Sequence, residues 1–522
     1  MTDTVTQAKP LTSNPWVIAF SVLLATFMEV LDTTIVNVSL SHIAGNLAST
    51  VDESTWVLTS YLVSNAVILP MSAWLANYFG RKRLLMASIA GFTISSLACG
   101  MATTLPMLIL FRVIQGATGG GLAPLSQAIV LEAFPREKQS QGIAVWGMGV
   151  LLAPVIGPVA GGWITENYSW RWIFYVNLPI GIIALVLCYI FISDPPYIKR
   201  TAGKIDYWGM IFLTLGIGAL QVFLDKGQQE DWMASSMIRK LAVVTVVGLI
   251  LLVIRELTTD NPIMDLRAFK YRNFSAGTVQ AFVIFMVLYG SIVLLPIFFQ
   301  NILGYSAVEA GYATVPQGLG TMAGMLVAGL VAEYIDSRWL IAGGLVFAGI
   351  ATWSYGAINL SIGAHDLWLP QFFQGAGASF VFVPLTTITY DKMPKKDLGN
   401  ASAIFNLVRN IGASVGISFV TTLIARHAQT NTSVLGAHVT QLDSASQRLM
   451  AGTRAMFISR GVDSFSSTKK AGAMIFGMIQ QQAWMVSFTS VVHLLGILFL
   501  LILPLVLLMR KPSHKGESVP MH

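Results

Sequence analysis

Three ionisable side chains in apolar surroundings are the residues of this sequence best suited to chemistry. Glu29 and Asp32 lie within the first long apolar segment, and Arg112 follows Leu108 and Leu110 in a later one. An ionisable group in the hydrocarbon region of a membrane costs about 2.5 kcal/mol or more, so it is expected to have a functional role. Glu29 and Asp32 are three residues apart, which places them on one face of a helix. We expect that face to point toward protein or water.

The chemistry that these groups predict is the binding and release of a proton. Glu29 and Asp32 are the acids that we place near mid-membrane in the first half, so Arg112 is expected to pair with one of them. Burial raises the proton affinity of a carboxylate, and a nearby guanidinium lowers it. A movable Arg112 would therefore switch an acid between holding and releasing a proton. A static ion pair between two helices is the alternative, and the two acids are expected to titrate together.

The composition indicates which elements position these groups. The chain has 522 residues, of which 54% are apolar and 11% charged, against about 25% charged in soluble domains. Mean hydropathy is +0.67. Apolar runs of about 20 residues recur without strand-like alternation, so we predict an integral membrane protein of the all-α class. Lys and Arg cluster in short loops, so the net charge of +7 reflects membrane topology and not binding to nucleic acid.

We predict fourteen transmembrane helices and both termini in the cytoplasm, because the loops after even-numbered spans carry most of the Lys and Arg residues. The N-terminus lacks a basic region and a small-residue cleavage site, so the first span is expected to be retained and not to be a signal peptide. The predicted spans are 15–40, 54–78, 84–104, 106–131, 140–164, 172–192, 205–225, 238–254, 274–300, 307–333, 338–358, 366–391, 400–425 and 483–509.

An internal repeat relates the two halves of the chain. AWLANYFGRKRLL at 73–85 is echoed by GLVAEYIDSRWLI at 329–341, and RVIQGATGGGLAPL at 112–125 by QFFQGAGASFVFVPL at 371–385. The offsets of 256 and 259 residues are nearly equal. Spans 2 and 4 thus correspond to spans 10 and 12, which predicts a repeat of six spans with two further spans inserted between the halves.

This repeat sets the expected domain organisation. We predict that the long outward loop at 426–482 contains helices at 442–459 and 469–482 that lie on the membrane or against a partner, with an unstructured loop as the alternative. The expected parts are a cytoplasmic tail at 1–14, an N-terminal bundle at 15–192, a linker and inserted pair at 193–273, a C-terminal bundle at 274–509 and a tail at 510–522.

Five motifs in order resemble a known family. They are LDTTIVNVSL at 31–40, the loop motif at 73–85, RVIQG at 112–116, GPVAGG at 157–162 and WRWIFYVNLPIG at 170–181. Together they resemble the major facilitator superfamily, specifically the fourteen-span drug:proton antiporters and, within them, the EmrB-like subunits of tripartite efflux pumps. The resemblance implies two six-helix bundles related by an axis along the membrane normal, plus two inserted helices.

The resemblance also implies the activity. It implies export of hydrophobic or amphipathic drugs against protons by alternating access, without a cofactor, in a bacterial inner membrane. It further implies a periplasmic adaptor and an outer-membrane channel as partners. The alternatives are a proton-coupled exporter or uniporter of a specific metabolite or fatty acid and, remotely, a membrane-embedded enzyme or sensor. The chain is not expected to be an enzyme or to bind a metal, because no clustered catalytic residues are evident and its two cysteines, Cys99 and Cys188, lie in apolar segments.

The GPVAGG segment predicts a packed hinge. Pro154 and Pro158 each remove a backbone hydrogen bond, while Gly157, Gly161 and Gly162 allow a neighbouring helix to approach closely. Ordinary membrane-helix packing is the alternative. The resemblance assigns Asp32, but not Glu29, to a family motif.

The loop motif departs from the family pattern. Gly80, Arg81 and Lys82 match, but Asn77 stands where the family has an Asp that is thought to lock the cytoplasmic gate through its charge. An amide can only hydrogen-bond, so we expect a weaker lock. Glu333 occupies the equivalent place in the repeat.

The second half supplies an expected substrate surface. Gln371 takes the position of Arg112 in the repeat, and Arg409 is the main charge within its spans. An apolar, aromatic surface with a few polar groups suits bulky amphipathic molecules, although most such residues serve packing alone. The candidate substrate-binding residues are Asn37, Gln115, Gln280, Phe285, Tyr289, Phe372, Gln374, Asn406 and Arg409.

Overall fold

A computed structural model describes residues 14–194, 206–360, 362–391, 393–440 and 443–509. These residues form helices and connecting segments, without a β-strand in the described ranges. Fourteen helices are long and apolar enough to cross a membrane. The prediction of an all-α membrane protein with fourteen spans is therefore confirmed. The tails at 1–13 and 510–522 and most of the linker at 193–204 lie outside the described residues.

We number the spans α1 to α14 in chain order. Their bounds are α1 Pro15–Asn37, α2 Val51–Phe79, α3 Arg81–Met101, α4 Leu105–Ala133, α5 Arg136–Asn167, α6 Trp172–Phe191, α7 Tyr207–Lys226, α8 Ser236–Thr258, α9 Arg272–Ile302, α10 Val308–Val331, α11 Ser337–Ala357, α12 His365–Thr389, α13 Lys395–His438 and α14 Ser464–Leu508. Because the number of spans is even, α1 begins and α14 ends on the same side, which we call the terminal side. The other side is the distal side.

Local sequence signals set several of the helix boundaries. Gly80 separates α2 from α3 with a φ of 95°, a left-handed conformation that favours glycine. The Asp206 side chain accepts a hydrogen bond from the Gly209 amide and so caps α7, as expected of an N-cap residue. Gly80 thus allows the sharp turn between α2 and α3, the two helices that carry the loop motif.

The spans pack as two six-helix groups with the inserted pair at their side. In the first bundle α1 contacts α4, α5 and α6, and in the second α9 contacts α13 while α12 contacts α10 and α11. The two bundles meet where α5 packs on α10 and α2 packs on α13. The inserted helix α7 lies against both α2 and α13, and α8 packs on α7. Helix α1 therefore packs within the first bundle and against α5, the helix that contacts the second bundle.

The distal segment at 426–482 is mostly a continuation of the last two spans. Helix α13 runs on to His438, and α14 begins at Ser464, so the predicted helix at 469–482 is not separate but forms the start of α14. A further helix, Ser444–Ser459, packs on α14. Hydrogen bonds from the Ser446 amide and hydroxyl to Asp443 hold the pKa of this N-cap carboxyl below its usual value, so it caps the helix in its charged form.

Candidate functional site

Asp32 and Arg112 form an ion pair inside the first bundle. Both side chains are 0% exposed, and a guanidinium nitrogen of Arg112 donates to Asp32 Oδ2. Asp32 Oδ1 also accepts hydrogen bonds from Gln115 Nε2 at 2.9 Å and Asn177 Nδ2 at 2.8 Å. The structure thus pairs Arg112 with Asp32 and not with Glu29, and amide donors satisfy the other carboxylate oxygen.

Further contacts of Arg112 join it to α2 and α4. Its Nε donates to the Val57 carbonyl at 3.0 Å, and Nη1 donates to Gln115 Oε1 at 2.8 Å. The guanidinium lies 4.1 Å from the centre of the Tyr61 ring, a cation–π distance. Gln115 was predicted to line the substrate surface, but it is fully buried within this network. Its amide instead orients both members of the ion pair.

Asn177 is a member of this hydrogen-bond network that was not predicted from the sequence. Its Nδ2 lies 2.8 Å from Asp32 Oδ1 and 3.0 Å from Ser96 Oγ, so it ties α6 to α1 and α3. Asn177 lies within the WRWIFYVNLPIG motif. An amide at the start of an otherwise apolar span was the signal that could have found it, because a buried amide needs a polar partner.

Glu29 lies apart from the ion pair, at the surface where the two bundles face each other. It is 6% exposed, and its Oε1 accepts a hydrogen bond from Asn65 Nδ2 at 2.9 Å. Its Oε2 has no hydrogen-bond partner. The cation that acts on Glu29 electrostatically is Arg409, which belongs to the second bundle. The two acids of α1 thus differ in surroundings, since Asp32 is enclosed by one bundle and Glu29 faces the other.

Arg409 is a buried guanidinium without a carboxylate partner. It is 5% exposed, and no described acidic side chain lies within 4.0 Å of it. Its Nη1 has no hydrogen bond, and Nη2 has only a 3.5 Å contact with Asn410 Oδ1. The guanidinium lies 5.6 Å from the centre of the Phe285 ring, and the Tyr289 ring is 6.0 Å from that of Phe285. Three of the predicted substrate residues therefore lie together.

A neutral hydrogen-bond network takes the place of the ion pair in the second bundle. Gln374 Nε2 donates to Ser291 Oγ at 2.9 Å and to Thr352 Oγ1 at 3.1 Å, and its Oε1 accepts from the Tyr355 hydroxyl at 2.8 Å and from Gln317 Nε2 at 3.2 Å. The 259-residue repeat offset maps Gln115 onto Gln374 and Asp32 onto Ser291. Gln374 is therefore a core residue of its bundle and not an exposed substrate ligand.

Four other predicted substrate residues are separate from the group around Arg409. Gln280 donates to the Leu505 carbonyl at the end of α14, and Asn406 donates to Gln127 of the first bundle. The Phe372 backbone faces Gly320 of α10. Asn37 is exposed at the distal end of α1. A sequence predicts that a helix forms but leaves its rotation about its own axis open, so these contacts could not be predicted, and the substrate roles of the four residues stay predictions.

The bundles are joined on the terminal side by a set of polar residues that we call the terminal-side latch: Gln127 of α4, Tyr390, and Ser402 and Asn406 of α13. Gln127 Oε1 lies 2.5 Å from Asn406 Nδ2, 2.7 Å from Ser402 Oγ and 3.2 Å from the Tyr390 hydroxyl. All four side chains are buried. The two bundles are therefore in contact on the terminal side of the region between them, which we call the central space.

The loop motif lies on the same side. Arg81 forms a bidentate ion pair with Glu132, at 2.8 and 2.5 Å, within the first bundle. The backbone amide of Lys82 donates to Asp194 at 2.7 Å, and Asn77 is exposed. The ion pair between Arg81 and Glu132 thus connects the start of α3 to the end of α4.

The repeat copy of the loop motif supplies a contact between the bundles. Glu333 accepts a hydrogen bond from Gln141 of α5 at 2.8 Å. The acid at the repeat position therefore crosses from α10 to the first bundle, whereas Asn77 has no such contact among those described.

The GPVAGG segment packs α5 tightly against two neighbours. A Cβ atom on Gly157 would lie 2.7 Å from Thr34 Cβ of α1, and one on Gly162 would lie 2.6 Å from Val308 Cγ2 of α10. Gly161 faces the Ile35 carbonyl in the same way. Helix α5 continues through Pro154 and Pro158. The segment thus links the helix of the two acids to the opposite bundle. In the described residues, no group of three or more His, Cys, Asp or Glu side chains could hold a metal ion.

Comparison with known proteins identifies relatives over the whole chain. The family model described as the Major Facilitator Superfamily matches residues 22–417. The multidrug export protein EmrB of Escherichia coli strain K12 is 37% identical over 514 residues, which is 98% of either chain. The fatty acid resistance protein FarB of Neisseria gonorrhoeae is 37% identical over 506 residues, covering 96% of this chain and 97% of FarB.

A solved structure resembles the fold. The crystal structure of the human organic anion transporter MFSD10 superposes with a TM-score of 0.60 at 13% identity, covering 95% of this chain and all of the other. At this identity the likeness concerns the fold alone.

Proposed function

Because the chain belongs to the major facilitator superfamily, and because its relatives include multidrug exporters, we propose that it exports drugs and other amphipathic compounds in exchange for protons. The observation that carries the proton part is the Asp32–Arg112 pair, fully buried in an apolar bundle. Burying an ionisable pair at that depth is costly, and ionisable residues within membrane spans therefore tend to mark ion or proton pathways. The gradient of protons is then the energy source, and no cofactor is needed.

The proposed coupling step is protonation of Asp32. The neutral acid loses the charge that holds the Arg112 guanidinium, while Gln115 and Val57 still accept hydrogen bonds from it. The Arg112 side chain can then change its position relative to α1. Because α1 packs on α5 at Gly157, a movement of α1 would be transmitted to the interface between the bundles. Alternating access follows if this shift decides which side of the central space is open.

We propose that the terminal side is the cytoplasm and the membrane is a bacterial inner membrane. The positive-inside rule supports this orientation, since Arg81, Lys82, Arg136 and Lys138 lie at the terminal-side ends of α3 and α5. The latch then closes the cytoplasmic side, and the structure corresponds to a carrier that has delivered its substrate outward.

The distal extensions of α13 and α14 support a tripartite pump. These helices have 44 and 45 residues, and at 1.5 Å per residue each is about 65 Å long, roughly twice the thickness of the hydrocarbon core. We therefore propose that the excess length projects from the membrane on the distal side and contacts a periplasmic adaptor that leads to an outer-membrane channel.

Proteoliposomes with an imposed pH gradient test this function. We expect ethidium to move against its gradient when protons flow in the opposite direction, and to stop when a protonophore collapses the gradient. Uptake that is independent of the gradient would favour a uniporter, and movement of ethidium together with protons would favour a symporter.

A second candidate substrate class is supported by one comparison. The 37% identity to FarB over nearly the full chain favours long-chain fatty acids as an alternative cargo on the same fold. The same proteoliposomes, loaded with a fluorescent fatty acid in place of ethidium, distinguish the two. A membrane-embedded enzyme or sensor has no support from these relatives.

A further inference from the structure

We propose that Arg409 binds the carboxylate of anionic amphipathic substrates, with the apolar part of the molecule against Phe285 and Tyr289. This inference rests on the proposed export function and names a substrate class for its central space. It concerns a site in the second bundle that is separate from the Asp32–Arg112 pair.

The first argument is the unused hydrogen-bonding capacity of Arg409. The side chain is 95% buried, its Nη1 is unpartnered and no described carboxylate lies within salt-bridge distance. Arg112 shows the contrast, since the buried guanidinium there has a carboxylate, an amide and a carbonyl as acceptors for Nη1 and Nε, although its Nη2 is unpartnered as well. A buried charge without a partner is strongly unfavourable. A substrate carboxylate would supply the missing acceptor, because a guanidinium matches it in geometry and charge.

The second argument is the wall beside this cation. Phe285 presents its ring 5.6 Å from the guanidinium, and Tyr289 follows one turn further along α9. An aromatic wall next to one fixed charge fits a ligand with an apolar body and an anionic end. A polar ion without an apolar part would leave this wall without a contact.

The third argument is access from the distal side. Toward the terminal side of α13, Asn406 is fully buried in the latch. Toward the distal side, Ala413 and Ile417 on the same face of α13, and Tyr289 on α9, are all partly exposed. Arg409 thus lies next to the latch, and the residues on its distal side are less buried than those on its terminal side. The distal side is the one on which an exported molecule would leave.

Glu29 is the acid on the facing wall, with one unpartnered carboxylate oxygen. The charged form of Glu29 repels a substrate anion and competes with it for the positive charge of Arg409. We therefore expect Glu29→Gln to bind an anionic probe at least as tightly as the wild type. A purely structural role of Arg409 as a counter-charge for Glu29 predicts instead that Glu29→Gln destabilises the protein.

The test uses the full-length protein in nanodiscs of phosphatidylcholine, which carries no net charge. The probes are 11-(dansylamino)undecanoic acid, its neutral methyl ester, and ethidium. We expect Arg409→Gln to weaken binding of the acid by roughly 10- to 100-fold, the effect of losing a hydrogen bond to a charged group. The ester and ethidium should change by less than about twofold. Arg409→Lys should lose less for the acid, because it keeps the charge but not the planar fork.

The matched control is Arg426→Gln, which removes an exposed arginine from the distal part of the same helix and should leave all three affinities unchanged. An equal loss for acid, ester and ethidium in Arg409→Gln, or no loss for the acid, contradicts the proposal. If Arg409→Gln does not fold, displacement from the wild type decides: dodecanoate should displace the dansyl acid, and equal displacement by dodecanol contradicts the proposal.

Failure of this inference is distinguishable from failure of the proposed function. Wild-type proteoliposomes that do not move ethidium with a pH gradient contradict the export function. Proteoliposomes that do move ethidium, while binding of the acid is independent of Arg409, contradict the carboxylate site alone.

Discussion

The carboxylate of Asp32 is held inside an apolar bundle by groups from two other helices. Arg112 and Gln115 come from α4, and Asn177 comes from α6. A buried charge is tolerated when it is both paired and hydrogen-bonded. The same set of contacts makes the acid sensitive to any shift between α1, α4 and α6, which is a property that a coupled carrier requires.

Asn177 offers a test of this set that leaves both charges in place. Asn177→Ala removes one hydrogen bond to the Asp32 carboxylate and its link to Ser96, and hydrogen bonds to charged groups contribute about 1.5–3 kcal/mol. We expect pH-gradient-driven ethidium efflux to slow by about tenfold or more, with normal amounts of protein in the membrane. The exposed Asn37→Ala variant serves as the control, and an Asn177→Ala variant with control-like efflux would contradict this positioning role.

At the scale of elements, α5 connects the acids to the second bundle. Its glycines let α1 pack on one side of α5 and Val308 of α10 pack on the other. These contacts are too close for a larger side chain at the glycine positions. Small residues of this kind permit close packing of membrane helices. The GPVAGG segment therefore acts as the mechanical contact between α1 and the opposite half, although both prolines lie within a continuous helix.

Gly157→Ala tests this contact. The added methyl group would lie 2.7 Å from Thr34 Cβ, so α1 and α5 must separate, and overpacking of this kind typically costs about 1–3 kcal/mol. We expect reduced efflux and a lower melting temperature. Gly343→Ala is the matched control, because a Cβ atom there meets nothing within 4 Å. Equal behaviour of the two variants would show that the close approach at Gly157 has no part in transport.

At the scale of the whole molecule, the latch connects the two bundles on the terminal side of the central space. Gln127 accepts from three side chains of the second bundle, all of them buried. Replacing it removes the shared acceptor, so that the buried Tyr390 hydroxyl loses this hydrogen bond while Ser402 and Asn406 keep other acceptors, and this is unfavourable for the closed arrangement. The latch thus biases the equilibrium between arrangements that are closed and open on the terminal side.

Gln127→Leu should therefore shift the molecule toward opening on the terminal side. The expected result is faster hydrogen exchange of the α13 segment that begins at Leu398 and of the end of α12, with the distal half of α13 unchanged. Ser140→Ala, which removes only a 3.3 Å contact with Thr387, is the comparison variant. Unchanged exchange in Gln127→Leu would mean that hydrophobic packing alone keeps this side closed.

Much of this architecture could be predicted from the sequence, for identifiable reasons. Apolar runs set the spans, and the repeat set their grouping. Arg112 was predicted to pair with either Asp32 or Glu29, because charges within apolar runs have few possible partners, and the structure selects Asp32. Gln127 and Asn177 were not found, because a neutral amide gives no comparable signal and its partners come from helices distant in sequence. The buried contacts of Gln280 and Asn406 were not predicted, because the rotation of each helix depends on long-range packing.

The unpaired state of Arg409 could not be predicted from the sequence either. The chain has acids, such as Glu29, that could have paired with it, and only the packing of the two bundles decides the distance between them. The sequence therefore identified the charge of Arg409, whereas the structure shows that its Nη1 has no hydrogen-bond acceptor.

The central claim is that Asp32 carries the proton that drives export, and one measurement tests it most directly. Ethidium efflux from proteoliposomes under an imposed pH gradient is compared for the wild type, Asp32→Asn and the control Asp52→Asn, which changes an exposed acid near the start of α2. We predict that Asp32→Asn is inserted normally but has no gradient-driven efflux, whereas Asp52→Asn transports like the wild type. Gradient-driven efflux by Asp32→Asn at the wild-type rate would contradict the account.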